Sequence, residues 1–154
     1  MAKGSGTTRR TTGNKTAKTT YLYSVHSSGP YTVYDTDDVF KHNFNWLEAD
    51  AARDISNFQF MMHRPTQDIM VDISHIHTTQ ETVDANYVNK IINEGGSKEP
   101  ITGLKVGNEV YIFDGHHRAA AMIAKGAKDL PIKVVSVTKL EFKKKMKEIE
   151  EDYF

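Results

Sequence analysis

The residues with the most chemistry per unit length are Asp114-Gly115-His116-His117-Arg118. An apolar run, Val110-Tyr111-Ile112-Phe113, precedes them, and a strong helix former, Ala119-Ala120-Ala121-Met122-Ile123-Ala124, follows. The spacing predicts a strand, a tight turn at Asp114-Gly115 and a helix N-terminus in direct succession. A helix start leaves backbone N–H groups unpaired and carries the positive end of the macrodipole. With a guanidinium fork and two imidazoles beside it, that end is suited to an anion, above all phosphate. Arg118 is the leading phosphate ligand, or else a structural ion-pair former. His116 and His117 can donate to phosphate oxygens or act as acid or base near neutral pH, while one of them supports the turn. Asp114 either holds Mg2+ on a nucleotide or closes the turn.

Other polar residues are candidates to border the same site. Thr79-Gln80-Glu81 follow a short strand, Ile69 to Ile73, with Glu81 a candidate general base and Gln80 a contact for base, ribose or phosphate; the other reading is helix capping. His75 and His77 lie two apart and face one way on extended backbone, so with His116 or His117 they offer a zinc ligand set, although such coincidences seldom bind metal.

The elements that must position these groups follow from periodicity and turn residues. Residues 1–20 have no acidic residue, carry Lys3, Arg9, Arg10, Lys15 and Lys18, and read as a disordered basic tail, either a solubilising one or one that touches nucleic acid. Tyr21–Val25 and Tyr31–Tyr34 flank Gly29-Pro30 and predict a hairpin whose tyrosines pack on an edge strand, the other reading being stacking on bases. From Asp37, capped by Asp37 or Thr36, apolar residues Phe40, Phe44, Leu47, Ala51, Ile55 and Phe58 keep a helical period. Trp46 is expected as a packing anchor. A helix over Asp84–Asn93 ends at Gly95-Gly96, with Val83, Tyr87, Val88, Ile91 and Ile92 on its inner face. Strands follow at Ile101–Val106, Val110–Phe113 and Ile132–Val137, the first two joined at Gly107-Asn108. Thr138 and Glu141 form a capping box for a last helix.

Composition narrows the classes. The chain has 154 residues, enough for one core, with 20 basic and 20 acidic side chains and no net charge, so no global pull on nucleic acid. It has no cysteine, which excludes disulfides, thiolate metal sites and thiol catalysis. No apolar run reaches the roughly 20 residues of a membrane span, and no apolar secretion signal is seen. A cytoplasmic protein without membrane partners is expected.

The order Val71-Asp72-Ile73, Thr79-Gln80, Pro100-Ile101, Asp114–Arg118 and Leu130-Pro131 resembles the ParB/sulfiredoxin superfamily, from about Ile69 to Val137. The resemblance implies an α+β fold, a small mixed sheet with packed helices, over residues 67–138. Ahead of it come the tail, 1–20, and a hairpin-and-helix extension, 21–66; the closing helix covers 139–154. It further implies a nucleotide at the turn: CTP in ParB proteins, ATP in sulfiredoxins. Bound phosphate would touch Gly115, His116, His117, Arg118, Thr79 and Gln80, with Mg2+ and ATP or CTP as cofactors and Asp114 on the metal. Glu81, His116 and Asp114 would be the catalytic candidates. The catalytic cysteine of sulfiredoxins is replaced by His116, so sulfinic-acid reduction is excluded. The Glu and Arg that usually precede the last Arg in ParB turns are here both His, and ParB's helix-turn-helix and dimer domains are not expected.

Asp-Gly-His-His-Arg turns look like the ParB-like domains of phage and mobile elements, and like archaeal free-serine kinases that use an acidic base. The expected function is a Mg-dependent NTPase or phosphotransferase. The alternative is a ParB-like nuclease or DNA-binding protein that grips the DNA backbone with the same turn and tail. A non-catalytic adaptor is a third class, and a homodimer is open.

Overall fold

The computed structural model describes residues 11–12, 17–18, 21–28 and 31–153. The expected disordered tail lies outside the described residues except for β1 (Thr11–Thr12) and β2 (Ala17–Lys18), which pair antiparallel.

The core is an α+β arrangement around a five-stranded mixed sheet. Its strands are β5 (Gln67–Asp72), β6 (Ile76–His77), β8 (Ile101–Val106), β9 (Glu109–Asp114) and β10 (Asp129–Val137), in the order β5-β10-β8-β9-β6. β10 runs parallel to β8 and antiparallel to β5; β9 runs antiparallel to β8 and parallel to β6. Helix α4 (His116–Ala124) makes the crossover from β9 to β10. Alternation along β9 divides the core, since successive side chains leave opposite faces of a strand. Val110 and Ile112 pack with Ala119, Ala120 and Ala121 of α4 and with Val88 and Ile91 of α3 (Ala85–Asn93). Tyr111 joins Ala51, Ala52 and Ile55 of α2 (Trp46–Met61) and Phe142 and Ile149 of α5 (Lys139–Tyr153). Each fully buried aliphatic side chain in these layers contributes about 1.5–3 kcal/mol.

The extension departs from its expected form in three places. The first strand of the hairpin is β3, His26–Ser28, not Tyr21–Val25; it pairs with β4, Tyr31–Asp35, and the expected turn at Gly29-Pro30 lies outside the described residues. Tyr21 and Tyr23 instead set their rings edge-on against Tyr34, which is fully buried and lies on a central strand rather than an edge. The third partner is β7, Thr82–Asp84, a strand that takes Val83 and Asp84 from the helix in which they were expected. Third, the single helix from Asp37 is two: α1, Thr36–Phe40, and α2. Lys41 adopts φ 62 and ends α1, and the Asn45 side chain then caps α2 by accepting from the Glu48 N–H. The apolar period continues through the break, so periodicity alone could not place it. Neither expected residue caps α1: Asp37 accepts from the Phe44 N–H, and Thr36 donates to the Gln80 and Glu81 carbonyls.

Elsewhere the local signals hold, except that Tyr87, expected on the inner face of α3, is exposed. Asp84 caps α3 through the Asn86 and Tyr87 N–H groups, Gly95 and Gly96 follow the helix at positive φ, and Thr138 and Glu141 exchange the reciprocal bonds of a capping box. Trp46 opens α2, 44% exposed, and stacks on Tyr153 of α5. Among the described residues no helix is long and apolar enough to cross a membrane.

Tyr34 ties the extension to the core, because its hydroxyl accepts from the Leu22 N–H at 3.0 Å and the Asn89 amide at 2.8 Å. Tyr34→Phe leaves both donors without this acceptor and is expected to destabilise the protein by about 1–3 kcal/mol in urea denaturation. A change within a few tenths would show that water replaces the hydroxyl.

Candidate functional site

The turn is built by a change of register. Thr102 pairs with Asp114 and Gly103 with Ile112, so Phe113 is an extra residue in β9 and its ring stacks on Phe60 of α2. Gly115 follows at φ 107, a conformation that favours glycine. A Cβ there would lie 3.1 Å from both the Ile101 Cα and an Arg118 guanidinium nitrogen, so space as well as backbone requires the glycine. Its carbonyl accepts the first intrahelical bond of α4, from Ala119. The N–H groups of His116, His117 and Arg118 precede that bond, and the first turn holds no acidic residue.

The two histidines have different environments. His116 is 1% exposed, and its Nε2 accepts from the Thr79 N–H at 2.9 Å. The neutral ring then carries its proton on Nδ1, a buried atom with no partner among the described residues. Burial, reinforced by coupling to His117 and by the Arg53 charge, pulls this imidazole down to about 3. Of the roles weighed for the pair, support of the turn therefore falls to His116; a ring with this burial and affinity for protons is unsuited to phosphate contact or to proton transfer near neutral pH. His117 is half-buried against the Tyr87 ring, and its Nε2 accepts from the Asp84 N–H at 3.0 Å. Its pKa is lowered by burial, opposed by Asp84 and assisted by Arg118, so it too is neutral, with Nδ1–H as its donor.

Arg118 is 12% exposed in its side chain and donates to Glu99 at 3.0 Å and to the Pro100 carbonyl at 2.8 Å. Asp114 lies 3.8 Å from the same fork. The partner carboxylates sit in solvent: Glu99 is 75% exposed, and Asp114 is equally open. Beside the guanidinium is a hollow of about 320 Å³ walled by Glu99, Pro100, Ile101, Met122 and Lys133.

The Thr79–Glu81 segment meets the turn through its main chain. Thr79 is buried, its hydroxyl donates to the Ile112 carbonyl, and its own carbonyl accepts from Arg53 of α2. Gln80 is exposed and folds back on the Thr82 carbonyl. Glu81 is exposed and bonds through its carbonyl to Thr36; among the described residues no side-chain hydrogen bond or ion pair joins it to the turn. The structure thus unites Asp114 with Arg118, His116 with Thr79, and His117 with Asp84.

The zinc set is not assembled. His75 and His77 both bond one carboxylate, Glu109, at 2.8 and 2.6 Å, while His116 and His117 spend Nε2 on Thr79 and Asp84. Burial works to raise the Glu109 pKa, but the hydrogen bonds from His77 and His75 hold it below the ordinary value. His77 is packed between the His42 and Tyr111 rings. Sequence reasoning missed Glu109, Arg53 and Glu99 as partners of these sites. Each acts across a long sequence separation, and only the i,i+3 spacing of Asp50 and Arg53, which form an ion pair, was a local signal.

No protein-family model matches the chain, and no curated protein matches it. Among solved structures, the crystal structure of sulfiredoxin from Arabidopsis thaliana is similar, with a TM-score of 0.42 and 22% identity, covering 52% of this chain and 97% of that chain. The likeness is one of fold alone.

The His116 environment carries a pH dependence with a definite sign. Its folded value lies below the unfolded one near 6.5, so the unfolded chain binds the extra proton, and stability from this group is full above about pH 6.5 and declines as pH falls toward about 3. His116→Asn is expected to remove up to about 1.4 kcal/mol per pH unit from the slope of unfolding free energy in that window. Equal slopes in the two proteins, measured by denaturant titration at several pH values, would mean that the ring is not held neutral.

Proposed function

We propose that the protein binds a nucleotide through its phosphates at the N-terminus of α4, and that it acts as a Mg-dependent NTPase or phosphotransferase. The observation that carries this reading is Arg118: a largely buried guanidinium aimed at a helix start, whose carboxylate partner, Glu99, is itself in solvent and free to be displaced. The unpaired N–H groups of His116, His117 and Arg118 supply fixed donors, and the His117 Nδ1–H adds another. His116 contributes by holding the Thr79 loop, with no contact of its own to phosphate.

Phosphoryl transfer needs little beyond positioning and charge stabilisation, and these are what a rigid turn with an arginine provides. Asp114 and Glu81 are both exposed carboxylates, and Asp114 is the one that lies beside Arg118. In this reading Asp114 would hold the Mg2+ that accompanies ATP or CTP, which would supply charge neutralisation at the phosphates, and Glu81 would accept the proton of the attacking hydroxyl or water. The hollow beside Arg118, at about 320 Å³, falls within the size range of small-molecule sites and gives the organic part of the ligand a place.

Calorimetric titration with ATP and CTP, with and without Mg2+, is expected to show binding that weakens by about tenfold or more in Arg118→Ala, the loss of a charged hydrogen bond of about 1.5–3 kcal/mol. Undiminished binding in the variant would overturn the assignment of Arg118. Binding of duplex DNA in place of nucleotide, steeply weakened by salt and by deletion of residues 1–20, would move the function to the nuclease or DNA-binding class.

A further inference from the structure

We propose that His26, Asp35 and Asp38 form a binding site for a divalent transition cation of the Zn2+ or Mn2+ kind, on the extension and separate from the α4 turn. The three come from different elements: the first residue of β3, the last of β4 and the first turn of α1. Register brings them together. His26 pairs with Val33, so Asp35, two residues on, is its diagonal neighbour on the same face. Asp38 follows Asp35 by three residues, one helical turn, which returns its carboxylate to the same side. One ligand atom from each residue lies within 4.8 Å of the other two.

One of the three separations matches that of two ligands sharing an ion. His26 Nε2 lies 3.4 Å from Asp35 Oδ2. A charge-assisted N–H···O bond closes to about 2.7–2.9 Å. Two ligands each about 2.1 Å from one ion stand about 3.0–3.4 Å apart, the edge of an octahedron or tetrahedron. The Asp35 carboxylate has also forgone its local partner. Asp35 is the N-cap of α1, yet accepts no side-chain bond from the helix, whereas Asn45 and Asp84 at the starts of α2 and α3 do. That cap ordinarily contributes to helix stability, so a carboxylate turned from it toward an imidazole indicates a different use. Among the described residues neither Asp35 nor Asp38 has a lysine or arginine ion pair, and two carboxylates this close repel until a cation joins them.

The donor set selects the class of ion. Ca2+ and Mg2+ take oxygen ligands, whereas one imidazole nitrogen with two carboxylate oxygens suits Zn2+ or Mn2+. Three protein ligands leave coordination positions for water or for an anionic group. Thr36, between two of the ligands, bonds the Gln80 and Glu81 carbonyls, so a bound ion would also brace the loop beside the α4 turn.

The test is an electron paramagnetic resonance titration of the full chain with Mn2+, followed by competition with Zn2+, for the native protein and for His26→Ala and Asp38→Asn. Both side chains are exposed, and thermal melts of the metal-free proteins check that the variants remain folded. The expected result is a single Mn2+ displaced by Zn2+, with affinity lowered by about tenfold or more in each variant, and paramagnetic broadening of the amide signals of His26 and Asp35 to Asp38. Absence of Mn2+ and Zn2+ binding at millimolar metal would overturn the proposal. So would undiminished binding in both variants, or broadening centred on His75, His77 and Glu109.

Discussion

One hydrogen bond, from the Thr79 amide to the buried His116 imidazole, constrains the whole site. It joins the loop after β6 to the first residue of α4, and it requires a neutral ring with its proton on Nδ1. The environment enforces that state by burial, with the positive charge of Arg53 adding to it. The arrangement has a cost, because the buried Nδ1–H finds no acceptor among the described residues and an orphaned donor loses about 1–3 kcal/mol.

From that bond the division of labour follows. His116 is spent on architecture, so the adjacent His117 and Arg118 are the side chains of the turn left to meet a ligand. His117 is fixed by the Asp84 N–H, the N-cap residue of α3, which links the orientation of two helices to one imidazole. The extension reinforces the same place from outside. β4 pairs with β7, Thr36 of α1 bonds the Gln80 and Glu81 carbonyls, and Arg53 of α2 bonds the Thr79 carbonyl. A segment that sequence alone left without a role thus holds the loop that borders the turn.

How much of this was legible depended on the range of the interaction. The strand, glycine turn and helix at Val110–Ala124 announce themselves through local rules, as do the Thr138–Glu141 capping box and the Gly95-Gly96 stop, and the structure carries all three. The break between α1 and α2 was hidden because Phe44 and Leu47 keep the apolar period across it, while Lys41 at positive φ gives no compositional warning. β7 was hidden because Thr82-Val83-Asp84 is too short to show alternation and is made a strand by its partner β4. Two adjacent histidines look equivalent in sequence; only tertiary burial separates the supporting His116 from the accessible His117. Glu99, nineteen residues from Arg118, and Arg53, far from Thr79, could be found only in three dimensions.

The central claim is that the first turn of α4 is an anion site. It is tested most directly by following the backbone amide resonances of the full chain while adding tripolyphosphate and then ATP. The account predicts that the amides of His116, His117 and Arg118 shift first and together, with the Glu99 amide following as its side chain releases Arg118. Shifts confined to the basic residues of the tail, or to the His75–Glu109 surface, with the α4 amides unmoved, would contradict it.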